Sequence, residues 1–212
     1  MKYIHKNGEP QSFTDWKQLA NEDWQPSWLN FQEPQKSEVK NSLLEEQGSI
    51  CCYCEKDIQN TESHIEHIKP RSNPDYCGAE LEYGNLLCSC GPSQKKGAPS
   101  HCGDKKGDWF NEHDFITPLV LTCEDRFSYT AHGEIIPKRE NDNAAIVTIE
   151  KLGLNISSLV ALRKARIDVF LDPDIDADDQ KAFLTNYTAR NSDGGFNEFW
   201  TTANHFLINS FA

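Results

Sequence analysis

Seven of the eight cysteines in this chain fall between positions 51 and 102, and six of them belong to clusters: Cys51, Cys52 and Cys54 at the start, Cys88 and Cys90 further on, Cys102 at the end. Nothing else in the 212 residues narrows the possible folds as far. Thiols gathered in this way either form a disulfide framework or stay reduced around a metal. The opening residues, Met1-Lys2-Tyr3-Ile4-His5-Lys6, lack the apolar run of a secretion signal, and no run of about 18 apolar residues is present to span a bilayer. A cytoplasmic location, with no membrane partner, is therefore expected, and there metal ligation is the favoured use of the cluster.

The spacing narrows the ligands. Cys51 and Cys54 have the two-residue gap that lets two thiolates reach one tetrahedral ion from a tight turn. Their partners are read as Cys90 and Cys102, bridged by the Gly/Pro/Lys-rich loop 91–99, with His101 as a possible substitute. Cys88 lies too close to Cys90 for an ordinary ligand pair, and Cys77 and Cys123 stand apart as small core residues. The plainer reading, reduced cysteines in a core, suits one cysteine better than two spaced clusters. The expected ion is a closed, structural Zn2+ that stabilises a region with few aliphatic residues.

Between the cysteine clusters lies His64-Ile65-Glu66-His67-Ile68-Lys69-Pro70. His67 is the candidate general base, since an imidazole can take a proton from water near neutral pH. Glu66 and Asp104 offer hard oxygen ligands for a catalytic Mg2+ or Mn2+, and His64 is either a further metal contact or a packed neighbour. The Asn85 side-chain amide can tie one part of such a site to another. Any of these alone would more often be a solvated or hydrogen-bonded residue; together they point to phosphodiester hydrolysis. On a regular strand Glu66 and His67 would project to opposite faces, so the chain must twist or leave the strand there. Lys69, Arg71, Lys95, Lys96, Lys105 and Lys106 are the local cations for phosphate. The formal charge of −12 argues against nucleic-acid binding by bulk electrostatics, so substrate affinity is either weak or supplied by a partner.

Periodicity predicts a short helix over 12–19 with Ser12 outside its first turn, and a second over 37–47 stopped by Gly48. A zinc knuckle and strand are expected over 51–58, a second strand over 65–68, and a loop over 71–83. A short helix is expected over 104–110, and a hairpin within 116–136 turning at His132-Gly133. Helices follow over 148–152, 157–171, 177–190 and 196–211. The 157–171 stripe is read as Leu159, Leu162, Ala165 or Arg166, Val169 and Phe170. Phe196, Phe199, Trp200, Ala203, Phe206 and Leu207 would share one helix face, for core packing or for docking a partner. The chain is divided into an N-terminal helical segment packing on the core (1–48), a metal-bearing core (49–112), a hairpin or irregular region (113–147) and a C-terminal helical region (148–212).

The order Cys51-x-x-Cys54, Glu66-His67-Ile68-x-Pro70, Asn85-Leu86, Cys90, Cys102 and Lys106-Gly107 resembles the HNH endonuclease family. More narrowly, Glu46-Gln47-Gly48-x-Ile50-Cys51 and residues 148–155 look like the PtuB subfamily, the nuclease subunits of the retron-associated Septu antiphage systems. The resemblance implies an α+β fold, with a zinc-containing ββα-metal core embedded in a mostly helical domain. It implies His67 as base, Asn85 as the middle Asn, and Cys51, Cys54, Cys90 and Cys102 as zinc ligands. It also implies a DNA substrate, other nucleic acid being a further possibility, and a PtuA-like ATPase partner of the SMC/ABC class. The position after the second zinc cysteine pair, usually Asn or His, is Gly103 here, so Asp104 or His101 is expected to take over its metal contact. The alternative is a non-catalytic, zinc-stabilised subunit that binds nucleic acid or protein.

Overall fold

Gly48 decides where the chain turns toward the metal-ligating residues. Helix α2 (Gln35–Gln47) ends on this glycine, whose φ of 63° is the left-handed conformation a helix stop requires. The chain then runs straight into the turn that carries the first cysteines. A computed structural model describes residues 1–59, 63–76, 78–91 and 97–211. The expectations for Cys77, Lys95 and Lys96, and most of the 91–99 loop, lie outside the described residues.

The fold is α+β. Helix α1 (Gln11–Gln18) precedes α2, and among the described residues the strands form two small antiparallel sheets. Strand β1 (Ser63–His67) pairs with β2 (Leu86–Cys90), placing Ile65 opposite Cys88 and His67 opposite Leu86. The five-residue helix α3 (Cys102–Lys106) follows. Strands β3 (Phe127–Tyr129) and β4 (Ile135–Pro137) make the expected hairpin around His132-Gly133. Four helices complete the chain: α4 (Asn143–Lys151), α5 (Ser157–Phe170), α6 (Ala177–Thr188) and α7 (Trp200–Phe211). One buried apolar cluster draws residues from all four expected segments, from Phe13 and Leu43 through Tyr53 and Leu86 to Tyr129, Phe170 and Phe206. No described helix is long and apolar enough to cross a membrane.

Several local expectations need correction. Ser12 lies inside α1, which starts after Pro10 and has no side-chain cap. Residues 51–58 form the knuckle but no strand, only a single bridge between Ile50 and Asp57; β2 is the partner of β1 instead. Helix α3 begins two residues earlier than expected and stops at Gly107. The 71–83 loop contains short 3-10 turns, and the hairpin expected within 116–136 is confined to 127–137.

The stripe buried by α5 is Leu159, Arg163, Ile167 and Phe170, while Leu162 and Val169 are 41% and 49% exposed. An arginine sits on the inner face because its guanidinium is satisfied there, donating to the carbonyls of Leu154 and Leu159. Phe196 and Phe199 precede α7 rather than lying on it, and Phe199, Ala203 and Phe206 are buried in the fold. Those three residues are spent on the interior of the fold. Glu55 stitches the knuckle to α7 by accepting from the Thr201 N–H at 2.7 Å, and it pairs with the Met1 ammonium at 2.8 Å.

Candidate metal centre and cleft

Four sulfurs converge. The knuckle supplies Cys51 and Cys54, the end of β2 supplies Cys90, and the first residue of α3 supplies Cys102; all are buried, and their Sγ atoms lie within 4.8 Å of one another. Thiolates about 2.3 Å from a tetrahedral ion sit about 3.8 Å apart along each edge. The Cys51–Cys90 and Cys54–Cys90 separations are 3.6 and 3.8 Å, so the donor set fits Zn2+ in chemistry and in size. Burial would raise every one of these thiols. Hydrogen bonds from the other sulfurs, Cys102 above all, outweigh it at Cys51 and pull that thiol well below its ordinary value. Sulfurs sharing protons in this way are those a divalent cation would deprotonate together.

The neighbours of the cluster hold it in place. The Gln47 amide donates to the carbonyls of Ile50 and Cys88 and accepts from the Cys88 N–H, clamping the knuckle onto β2. His101 Nδ1 lies 3.6 Å from Cys90 Sγ and 3.2 Å from Cys102 Sγ, on the sulfur side of α3. Cys88 turns away toward the Lys40 carbonyl and Cys123 toward that of Met1, so neither joins the cluster.

Across β1 and α3 from the sulfurs opens a cleft of about 550 Å³, whose walls include His64, Glu66, His67, Arg71, Gly103 and Asp108. His64 and Glu66 share a face of β1, with Nε2 and Oε2 3.3 Å apart. The other carboxylate oxygen of Glu66 is occupied by Lys106 Nζ at 2.9 Å and the Tyr53 hydroxyl at 3.1 Å. Burial works against ionisation of this carboxyl. His64 and Lys106 overcome it and hold the pKa below the usual value.

Lys106 is thereby corrected. Expected as a phosphate contact, it is 3% exposed and binds Glu66 and the His67 carbonyl, the latter at 2.8 Å. Of the other expected cations, Lys69 lies over the Tyr76 ring and Arg71 over Trp28, and Arg71 also reaches the cleft.

His67 is the last residue of β1, where the strand pairing ends, so it faces the same cleft as Glu66. Its Nε2 lies 3.0 Å from the Glu80 carbonyl. A carbonyl can only accept, so Nε2 carries the proton and Nδ1 keeps its lone pair. Trp28 packs edge-on against the ring at 4.4 Å between centroids. Burial lowers the pKa to about 4, Arg71 adding to the effect against the Glu80 carbonyl, so the imidazole is neutral at pH 7.

Asn85 ties the residues after His67 to the turn at 79–81. Its amide donates to the carbonyls of Lys69 and Ala79, and its oxygen accepts from the Lys69 N–H at 2.8 Å. Asp104 is exposed on α3, is not among the residues lining the cleft, and joins no ligand cluster among the described residues.

Sequence reading missed Tyr53 and Trp28 altogether, and the inward role of Lys106. No local pattern marks a contact between residues 39 positions apart, which is why Trp28 escaped notice. Lys106 had a signal in the i, i+4 spacing from Cys102, which places both residues on the inner side of α3.

No family model matches the chain. It is 35% identical over 141 residues to a protein of Vibrio cholerae serotype O1 biovar El Tor named as the HNH endonuclease of retron Vc95. It is 30% identical over 140 residues to an Escherichia coli protein named as the HNH endonuclease of retron Ec83. Both names mark the activity as inferred. Each match takes in 63% of this chain, but only 65% of the Vibrio protein and 47% of the E. coli protein. The chain thus spans less than two thirds of either relative. These similarities support kinship with the HNH endonuclease family.

Proposed function

We propose that this protein is a metal-dependent HNH endonuclease that cleaves phosphodiester bonds of DNA. The observation that carries this reading is His67: an imidazole lining the cleft whose Nε2 is held by the Glu80 carbonyl, leaving Nδ1 as the basic nitrogen, beside a carboxylate fixed by Lys106. In the proposed reaction Nδ1 takes a proton from water and the hydroxide oxygen attacks phosphorus. The P–O bond to the 3′ oxygen breaks, and that oxygen leaves with the electron pair and gains a proton from solvent. Tyr53 and Lys106 keep the Glu66 carboxylate aimed into the cleft, and Asn85 holds the chain that follows His67. A Mg2+ or Mn2+ ion bound at Glu66 would supply positive charge against the phosphorane and the departing oxygen. The thiolates Cys51, Cys54, Cys90 and Cys102 would hold Zn2+ as a closed structural ion behind this site.

The retron names of the two relatives and the resemblance to PtuB support placing this nuclease in an antiphage complex with an SMC/ABC-like ATPase. The charge of −12 favours a partner that brings substrate to the cleft. Nicking of supercoiled plasmid with Mg2+ or Mn2+, with and without the ATPase, tests both parts. His67→Ala is expected to lose roughly 10²- to 10⁴-fold in rate. Equal nicking by wild type and variant removes His67 from the mechanism. No nicking under any condition favours the non-catalytic binding subunit.

A further inference from the structure

Gly103 stands where the resembled family carries a metal-binding Asn or His, and the structure offers a different ligand. A Cβ on Gly103 would press directly on Glu66 Oε2 and come within 2.8 Å of His64 Nε2. The glycine therefore borders the point toward which these two atoms converge. In this structure the two are hydrogen-bonded to each other across 3.3 Å at the cleft lining, so a cation held by both would take the place of the bridging proton. Ligands about 2.1 Å from an octahedral ion and at right angles to each other sit roughly 3.0 Å apart, so little movement would let them share one cation.

The other candidates point elsewhere. His101 is engaged with the sulfurs of Cys90 and Cys102, and Asp104 is exposed and absent from the cleft lining. Glu66 Oε1 is already taken by Lys106 and Tyr53, which fixes the direction of Oε2, the oxygen paired with His64. His64 is half-buried, rooted on β1, and faces the same opening.

We propose that His64 Nε2 and Glu66 Oε2 are the protein ligands of a divalent-cation site in the cleft, and that Gly103 is glycine because a side chain there would fill it. An imidazole nitrogen suits first-row transition ions better than the oxygen-seeking Mg2+, so the site is expected to prefer Mn2+ to Mg2+. The role of this ion in cleavage rests on the nuclease reading; its binding does not, and is measured separately.

The experiment is Mn2+ titration of the zinc-loaded 212-residue chain, read by the electron paramagnetic resonance of free Mn2+, with Mg2+ as competitor. Wild type is expected to bind one Mn2+ that Mg2+ displaces poorly. His64→Ala and Gly103→Ala are each expected to weaken Mn2+ binding by about ten-fold or more, with zinc content unchanged. Asp104→Ala is expected to leave it as it was. Should His64→Ala fail to hold its zinc, His64→Gln, closer in size, gives the same comparison in a folded chain.

Undiminished Mn2+ affinity in the folded His64 variant overturns the proposal, as does loss of binding in Asp104→Ala or no Mn2+ bound by wild type. Binding through His64 without plasmid nicking, even with the ATPase, sustains this site and removes the nuclease reading. Nicking together with His64-independent Mn2+ binding does the reverse.

Discussion

Lys106 illustrates how little a charged residue's identity says about its use. Its ammonium is 3% exposed and satisfied by Glu66 and by the His67 carbonyl, so it sets the direction of the carboxylate beside the candidate base. A buried pair of this kind adds little net stability when intact, since desolvation offsets most of the attraction, but losing one partner strands the other. Lys106→Met should therefore destabilise the fold by about 3 kcal/mol in urea unfolding, and pairing it with Glu66→Gln should recover most of that. A double variant no more stable than Lys106→Met would mean the loss arises from packing of the lysine stem instead. At this scale the cysteines, His67 and Asn85 stood out in the sequence because few side chains can ligate a thiophilic metal, accept a proton near neutrality or bridge two backbones. Trp28 and Tyr53 are ordinary aromatic residues until the fold sets them against His67 and Glu66.

Among the secondary-structure elements, positions of helices were legible and their phases less so. The stop at Gly48 and the extents of α5 and α6 follow from local rules: a left-handed glycine, Pro173 three residues past the end of α5, and the Asp176 side chain capping the first turn of α6. The buried face of α5 does not, because nothing local says that Arg163 will find carbonyls inside. Helix α4 carries a pH-dependent cap. Asp142 accepts from the Ala145 N–H and is gripped by Arg126 through two 2.5 Å hydrogen bonds, which hold its carboxyl below the usual carboxylate range. A carboxyl shifted downward in the folded state stabilises above its unfolded pKa of about 3.9, and that contribution is lost as pH falls through the folded value. Asp142→Asn keeps a capping oxygen and removes the charge. It should cost under about 1 kcal/mol at pH 7, since Arg126 is 38% exposed and its pairing is screened. The gap should close toward pH 3 in urea midpoints. An equal gap at both pH values would assign the effect to the cap alone.

For the whole molecule, the sulfur cluster ties the end of α2, β2 and α3 into the same apolar core that receives the C-terminal helices. Removing a structural ion from such a place should be felt globally, because four buried thiols are then left sharing protons where a cation fits. Chelation is expected to lower the thermal midpoint by at least about 10 °C, and Cys54→Ser to do so without chelator. Metal analysis should return one zinc per chain beforehand; a metal-free protein with an unchanged midpoint would rule out this role.

The sequence alone determined the candidate ligands and the helix stops, because each follows from residue type and short-range spacing: a two-residue gap between thiols, a glycine after a helical stripe, a histidine beside a carboxylate. The α+β class came with the family resemblance. Tertiary structure alone decided which atoms meet. Whether Asp104 or His64 stands beside Glu66, whether Lys106 turns outward to phosphate or inward to a carboxylate, and which face α5 buries all depend on the packing of segments distant in the chain. Burial changes the free energy of a charged or polar group by several kcal/mol according to the partners it finds. Those partners exist only once the chain has folded.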